Sequence, residues 1–257
     1  MTSVQLLATE ELVERKPKIL FYDLETFPNE GLFWDLKVDG YLSHESITKE
    51  RNIICGSWKW QGEKEVNSIC VTPTHPRNDR KVVEKLHSVI KQADAIVHHH
   101  GDSFDLPWLK ARCVYWGLEP LPPVIKIDTR KIARANFYFN SNKLDYLARY
   151  LGLGEKIRTD YNLWKDCLKG DEKALEKMVR YNKRDVVLLE YVFDILLPWI
   201  PAKLNQVLFA EREVCQHCGS NKIQYRGFHY TRSNKFRRYQ CKDCGSWSRS
   251  TAPYKEK

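Results

Sequence analysis

Five side chains spread over most of the chain have types and spacings suited to one chemistry. Asp23 and Glu25 close the apolar run Ile19-Leu20-Phe21-Tyr22. Asp105 follows Phe104, downstream of Ala95-Ile96-Val97, and Tyr181 and Asp185 stand four apart in a strongly helical segment. Carboxylate oxygens are the ligands that Mg²⁺ and Mn²⁺ prefer, and two such ions side by side activate a water and stabilise a leaving oxygen in phosphodiester cleavage. Asp23 and Glu25, two apart in an extended segment, share a face, so one strand end offers two ligands. Tyr181 lies one helical turn before Asp185 and presents its hydroxyl on the same helix face. Each element alone has a plain packing explanation. Their order as a set points to a metal-dependent nuclease.

Three segments carry these residues: FYDLET (21–26), HGDSFDLPWL (100–109) and YNKRDV (181–186). They stand in the order of the three motifs of the DnaQ-like 3′–5′ exonucleases, and the chain resembles the tyrosine subtype of that family, found also in B-family DNA polymerase proofreading domains. The subtype rests on Tyr181-x3-Asp185; a histidine subtype would place His where Arg180 stands. IDTRKIAR, NKLDYLARYLGL and DYNLW extend the similarity over roughly residues 17–200.

The resemblance implies that Asp23 bridges two Mg²⁺ or Mn²⁺ ions. Glu25 and Asp185 complete the site for the attacking water, Asp105 helps hold the second ion through its water shell, and Tyr181 orients the water. Leu24, Thr26 and Phe104 flank the ligands and are candidates for contacts to a terminal nucleotide. One departure falls at His100, where many relatives carry Asn; a bulkier donor that titrates near neutral pH bears on substrate preference and leaves the carboxylates untouched. His98 and His99 read as the end of a strand, Asp128 as a strand end and Asn142 as a helix cap.

Around these motifs the patterning predicts strands at 18–24, 31–37, 52–60, 64–72 and 94–99, with a further short strand in LPPVIKIDT. Helices are expected at 79–93, 104–116, 129–135, 143–151 and 162–168, and most clearly at 171–197, where Asp171 is the N-cap. Strands, a helix, a strand and further helices fit an α/β, RNase H-like exonuclease fold, a mixed sheet flanked by helices. The expected divisions are a lead-in over 1–17 with a short helix from Thr9, an exonuclease domain over 18–200, a hinge over 201–213 and a second module over 214–257.

That module holds Cys215-x2-Cys218-x22-Cys241-x2-Cys244, each pair followed by glycine, which reads as a zinc ribbon with one structural Zn²⁺. A segment this short needs such a staple to fold. Residues 212–257 carry 11 Lys/Arg against 3 Asp/Glu, whereas residues 1–211 carry 31 against 30. The excess positive charge therefore sits in the tail, where Arg226, Arg232, Lys235, Arg237, Arg238 and Arg249 interleave with aromatics, a composition suited to phosphates and base faces. Cys55, Cys70, Cys113 and Cys167 share no spacing and read as reduced, packed thiols.

The N-terminus lacks a signal-peptide core and no apolar run spans a membrane, so the expectation is a soluble, cytoplasmic protein whose partner is nucleic acid, with no membrane partner. The expected activity is 3′–5′ trimming of DNA, preferably single-stranded, to nucleoside 5′-monophosphates. The alternatives are a ribonuclease on the same scaffold and a catalytically idle nucleic-acid-binding protein. Protein partners are not legible.

Overall fold

The computed structural model describes residues 15–35 and 40–255. The expected helix from Thr9 lies outside them. The chain divides into two compact units, one over Lys18–Pro201 and the other comprising Met1–Pro17 with Ala202–Lys257.

The larger unit opens with β1 (Ile19–Thr26), followed by the short pair β2 (Glu30–Gly31) and β3 (Ile47–Lys49), then β4 (Ile53–Trp60) and β5 (Asn67–Cys70). Helix α1 (Arg80–Ile90), β6 (Ala95–His98), α2 (Asp105–Tyr115) and β7 (Ile125–Asp128) come next. Helices α3 (Thr129–Asn136), α4 (Leu144–Tyr150), α5 (Tyr161–Leu168) and the long α6 (Glu172–Leu196) complete it. The strands form one mixed sheet in the order β5-β4-β1-β6-β7, with β1 antiparallel to β4 and parallel to β6. This is the RNase H-like arrangement.

Of the strand expected over 31–37, residues 32–35 form no part: β2 ends at Gly31 and these residues lie outside any strand, with Leu32, Phe33 and Trp34 exposed, while 36 and 37 lie outside the described residues. Their aromatic content satisfies the strand pattern, but among the described residues no neighbouring strand pairs with them.

Central β1 shows how alternation sorts the side chains. Leu20, Tyr22 and Leu24 enter the apolar cluster built with α1 and α2, while Phe21 turns to the other face and meets Phe193 of α6, ring centroids 5.4 Å apart. Asp23 and Glu25 lie on that second face. Asp171 caps α6 by accepting from the Ala174 amide at 2.8 Å. Asp79 precedes α1 without capping it, because its carboxylate is taken by Arg112 Nε and Nη2 at 2.7 Å each, the Trp116 indole at 2.8 Å and the Ile53 amide at 2.9 Å. This buried, fully bonded pair ties α2 to β4 and so fixes the helix whose first residue is Asp105.

In the smaller unit β8 (Ile223–Tyr230), β9 (Lys235–Cys241) and β10 (Trp247–Arg249) form an antiparallel sheet in the order β10-β9-β8. A β-hairpin thus joins the two cysteine pairs, an arrangement compatible with a zinc ribbon. A 3₁₀ turn over Gln206–Phe209 occupies part of the segment expected as a hinge.

Among the described residues, no helix is long and apolar enough to cross a membrane.

Candidate active site and cysteine cluster

The end of β1, the start of α2 and the middle of α6 converge. Asp23, Glu25 and Asp185 each place a carboxylate oxygen within 4.8 Å of the others. Asp105 lies beside this trio and accepts the Leu24 amide at 3.1 Å. Its position is set by the preceding turn. β6 ends at His98, and the chain reverses through His100, whose φ of 72° is left-handed. Histidine tolerates that region several-fold better than most residues, as asparagine does. The next residue must be glycine, since a Cβ on Gly101 would lie 2.1 Å from His98 Nδ1.

Asp128 holds this turn: its carboxylate accepts the amides of His100 at 3.0 Å and Asp102 at 3.4 Å, and caps α3 through Arg130 and Lys131. His98, Asp102 and Asp128 also cluster within 4.8 Å, with Lys131 donating to Asp102 at 2.6 Å. That grouping clamps the turn. His99 is pinned between Thr129 Oγ1 and the Asn142 carbonyl, both at 2.9 Å. Asn142 is not the expected cap of α4; Lys143 holds that position without a side-chain bond.

Burial makes the carboxylates reluctant to ionise together. Desolvation, then neighbouring carboxylates, push Asp23 well above the usual range and Glu25 up to about 8, and burial lifts Asp105 to about 7. Asp185 is raised by burial in spite of its ion pair with Lys156 at 2.5 Å. Burial pulls the Lys156 ammonium down, but Asp185, Tyr181 and Asp23 together hold it above its ordinary value. The Tyr181 phenol is likewise raised, first by burial and then by Asp185, so it stays protonated.

Two residues of this site went unread in the sequence. Asn182, fully buried, donates to Asp23 Oδ2 at 2.6 Å; its signal was its place three residues before Asp185 on one helix face. Lys156 comes from the α4–α5 loop, its ammonium 3.4 Å from the Tyr181 hydroxyl. That loop is held by Arg184, which donates to the carbonyls of Leu153 and Glu155, and by Gly154, where a Cβ would lie 2.5 Å from Arg184 Nη2. No local pattern announces such a residue.

The substrate candidates divide. Thr26 and Phe104 line a cavity of about 430 Å³ beside Glu25, together with Arg51, Asp160, Tyr161 and Trp164. Leu24 does not: alternation along β1 sends its side chain into the core, and only its amide serves the site. The His100 side chain is exposed and does not line this cavity; what the position supplies is backbone conformation.

The carboxylate set fits divalent ions. Among the described residues, buried Asp185 Oδ1 has no hydrogen-bond partner, and the cation paired with Asp185 is Lys156. Three raised carboxylates around one point, with Asp105 beside them, form an oxygen-rich nest that a hard cation stabilises. In the smaller unit the sulfurs of Cys215, Cys218, Cys241 and Cys244 lie within 4.8 Å of one another, with the Cys215–Cys244 and Cys218–Cys241 pairs at 3.7 Å. A tetrahedron of sulfurs ~2.3 Å from a central Zn²⁺ has edges of about 3.8 Å, so this set fits zinc closely.

The tail cations lie over rings. Arg226 and Arg238 flank Trp247, Arg249 sits 3.7 Å from the Phe236 centroid, Lys235 covers Phe228, and Arg237 covers Tyr225. Arg232, in the β8–β9 turn, is exposed. The scattered thiols prove not all to be separate: Cys55 and Cys70 are cross-strand partners on β4 and β5.

No curated protein sequence matches the chain. Among solved structures it is similar to the family B DNA polymerase from the hyperthermophilic archaeon Pyrobaculum calidifontis, with a TM-score of 0.52 and 15% identity over 86% of this chain. It spans 32% of that polymerase's length. The RNase H superfamily profile matches residues 41–197, which leaves Asp23 and Glu25 on β1 outside the matched stretch. Over more than half of its length, then, the chain belongs to the RNase H superfamily.

Proposed function

We propose that this protein is a 3′–5′ exonuclease of the tyrosine subtype that uses two Mg²⁺ or Mn²⁺ ions and trims single-stranded nucleic acid to nucleoside 5′-monophosphates. The observation that carries the reading is the convergence of Asp23, Glu25 and Asp185, where one Asp185 oxygen has no hydrogen-bond partner among the described residues, with Asp105 and Tyr181 alongside. When bound, two divalent ions supply an activated water and neutralise charge on the leaving oxygen. Asp23, steadied by Asn182, and Asp185 hold the ions from β1 and α6, Glu25 completes the water side, and Asp105 supports the second ion. The Tyr181 phenol orients the water by hydrogen bonding, since a raised pKa keeps it from acting as a base. Lys156, beside Asp185 and the Tyr181 hydroxyl, would donate to a phosphate oxygen of the bound strand and add electrostatic stabilisation.

The cavity beside Glu25 takes the terminal nucleotide between Phe104 and the α5 side chains Tyr161 and Trp164. Shared fold with part of a DNA polymerase favours DNA over RNA. The cysteine cluster holds one structural Zn²⁺, and its basic, ring-covered sheet binds the strand outside the active site.

A time course on 5′-labelled DNA and RNA, single- and double-stranded, with Mg²⁺ or Mn²⁺, tests this. A descending ladder is expected on single-stranded DNA, abolished in Asp23→Ala and Asp185→Ala. Internal cuts, a ladder that survives either substitution, or no cleavage of any substrate would overturn it; a ladder on RNA alone would reassign the substrate.

A further inference from the structure

Arg51, Arg77 and Arg112 lie near the active-site end of the sheet, and Arg77 and Arg112 are held by protein acceptors through their terminal nitrogens, although the Arg77 Nε, like that of Arg51, is buried without a partner among the described residues. Arg77 donates to the carbonyls of Pro28 and Glu50 and to Asn52 Oδ1, and pairs with Glu30. Arg112 is bound bidentately by Asp79. Arg51 is different. Its amide is anchored by Asn29 Oδ1 at 2.7 Å, yet among the described residues its guanidinium makes no hydrogen bond and no ion pair, and its Nε is buried without a partner. The guanidinium lies over the Trp108 ring of α2, 4.9 Å from the centroid. Stacking of this kind fixes the plane of the fork and leaves its edge available.

Arg51 also lines the cavity beside Glu25. At about 430 Å³ the cavity falls in the range of small-ligand sites. Its aromatic residues, Phe27, Phe104, Tyr161 and Trp164, suit a flat ring. Its acidic side chains are Glu25 and Asp160, which offer acceptors and add no cation to Arg51. A cationic fork in an otherwise acidic, aromatic cavity is served by a neutral planar group with two adjacent hydrogen-bond acceptors.

We propose that Arg51 reads the base of the nucleotide held in this cavity and favours guanine and cytosine, an inference that rests on the exonuclease reading for its catalytic consequence. Guanine offers O6 beside N7, and cytosine offers N3 beside O2, so either meets two donors of the fork. Adenine sets an amino donor beside N7, and thymine or uracil sets an N–H between its two carbonyls, so each meets the fork with a donor at one position. A bidentate arginine–base contact discriminates by roughly tenfold or more.

Binding and turnover separate the two readings. The full-length protein is titrated with GMP, CMP, AMP and UMP in Mg²⁺, followed by tryptophan fluorescence, and the trimming rates of oligonucleotides differing only in the 3′ base are measured alongside. GMP and CMP are expected to bind about tenfold tighter than AMP and UMP, and oligonucleotides ending in G or C to be trimmed preferentially. Arg51→Lys, which keeps the charge and loses the fork, should bring both ratios to about twofold or less; Arg51→Gln serves the same purpose if the lysine variant does not fold. Equal binding of the four mononucleotides, or a preference that persists in both variants, overturns the assignment. A mononucleotide preference without any trimming would sustain the base-reading role and remove the exonuclease reading, whereas trimming with neither preference would do the reverse.

Discussion

Replacing Glu25 by Gln should stabilise the protein freed of Mg²⁺ and Mn²⁺, and the gain should grow with pH. Burial, then the Asp185 carboxylate, lifts Glu25 from an ordinary 4.5 to about 8. A group raised in the folded state contributes fully below its unfolded pKa and loses that contribution as pH climbs to the folded value, here between 4.5 and about 8. Taken alone, this difference corresponds to about 5 kcal/mol at ~1.36 kcal/mol per pH unit. That is an upper bound, because the neighbouring carboxylates titrate together and Lys156 offsets part of the repulsion. We expect roughly 2 kcal/mol to be visible, or about 4–8 °C in Tm for a unit of this size. Thermal melts of wild type and Glu25→Gln at about pH 5 and about pH 8.5 measure it. The variant should gain little at the lower pH and most at the higher. Saturating Mn²⁺ should then reverse the order, since only the wild type keeps all its ligands. A variant no more stable than wild type at the higher pH, or one whose gain is equal at both, would refute the electrostatic account of the site.

Three further outcomes follow from the geometry. Tyr181→Phe should slow cleavage by about tenfold to a hundredfold without stopping it, as an orienting hydrogen bond is lost and the metal ligands remain; full activity in single-turnover assays would reduce the tyrosine to packing. Lys156→Met should lower turnover about tenfold to a hundredfold at saturating Mg²⁺, and an unchanged kcat would confine Lys156 to balancing charge in the metal-free protein. Cys241→Ser should lose its zinc by metal analysis and make the slope of log affinity against log salt shallower by about 2 on a long single strand, equivalent to roughly three phosphate contacts. An unchanged slope with zinc lost would point the basic sheet toward a protein partner.

The larger part of this site was legible in sequence because its ligands ride on periodic elements. Alternation alone puts Asp23 and Glu25 on one face of β1, and a helical turn alone puts Tyr181 beside Asp185. The paired cysteines flank a hairpin whose length their spacing already allowed. The same alternation sends Leu24 into the core; the expectation that it touches substrate followed chain proximity and neglected the pleat. Residues 32–35 carry strand-like composition without a strand, because pairing needs a partner edge that composition cannot supply. Lys156, Arg51 and the Cys55–Cys70 neighbours belong to a third class, in which sequence separation conceals contact. Lys156 reaches Asp185 because Arg184 and Gly154 shape its loop, and Arg51 joins the cavity because β4 starts where β1 ends. Local periodicity could set the direction of each ligand along its own element; only the packing of the sheet against α2, α5 and α6 could decide which distant loops bring a cation to it, because that choice is made by contacts between residues far apart in the chain.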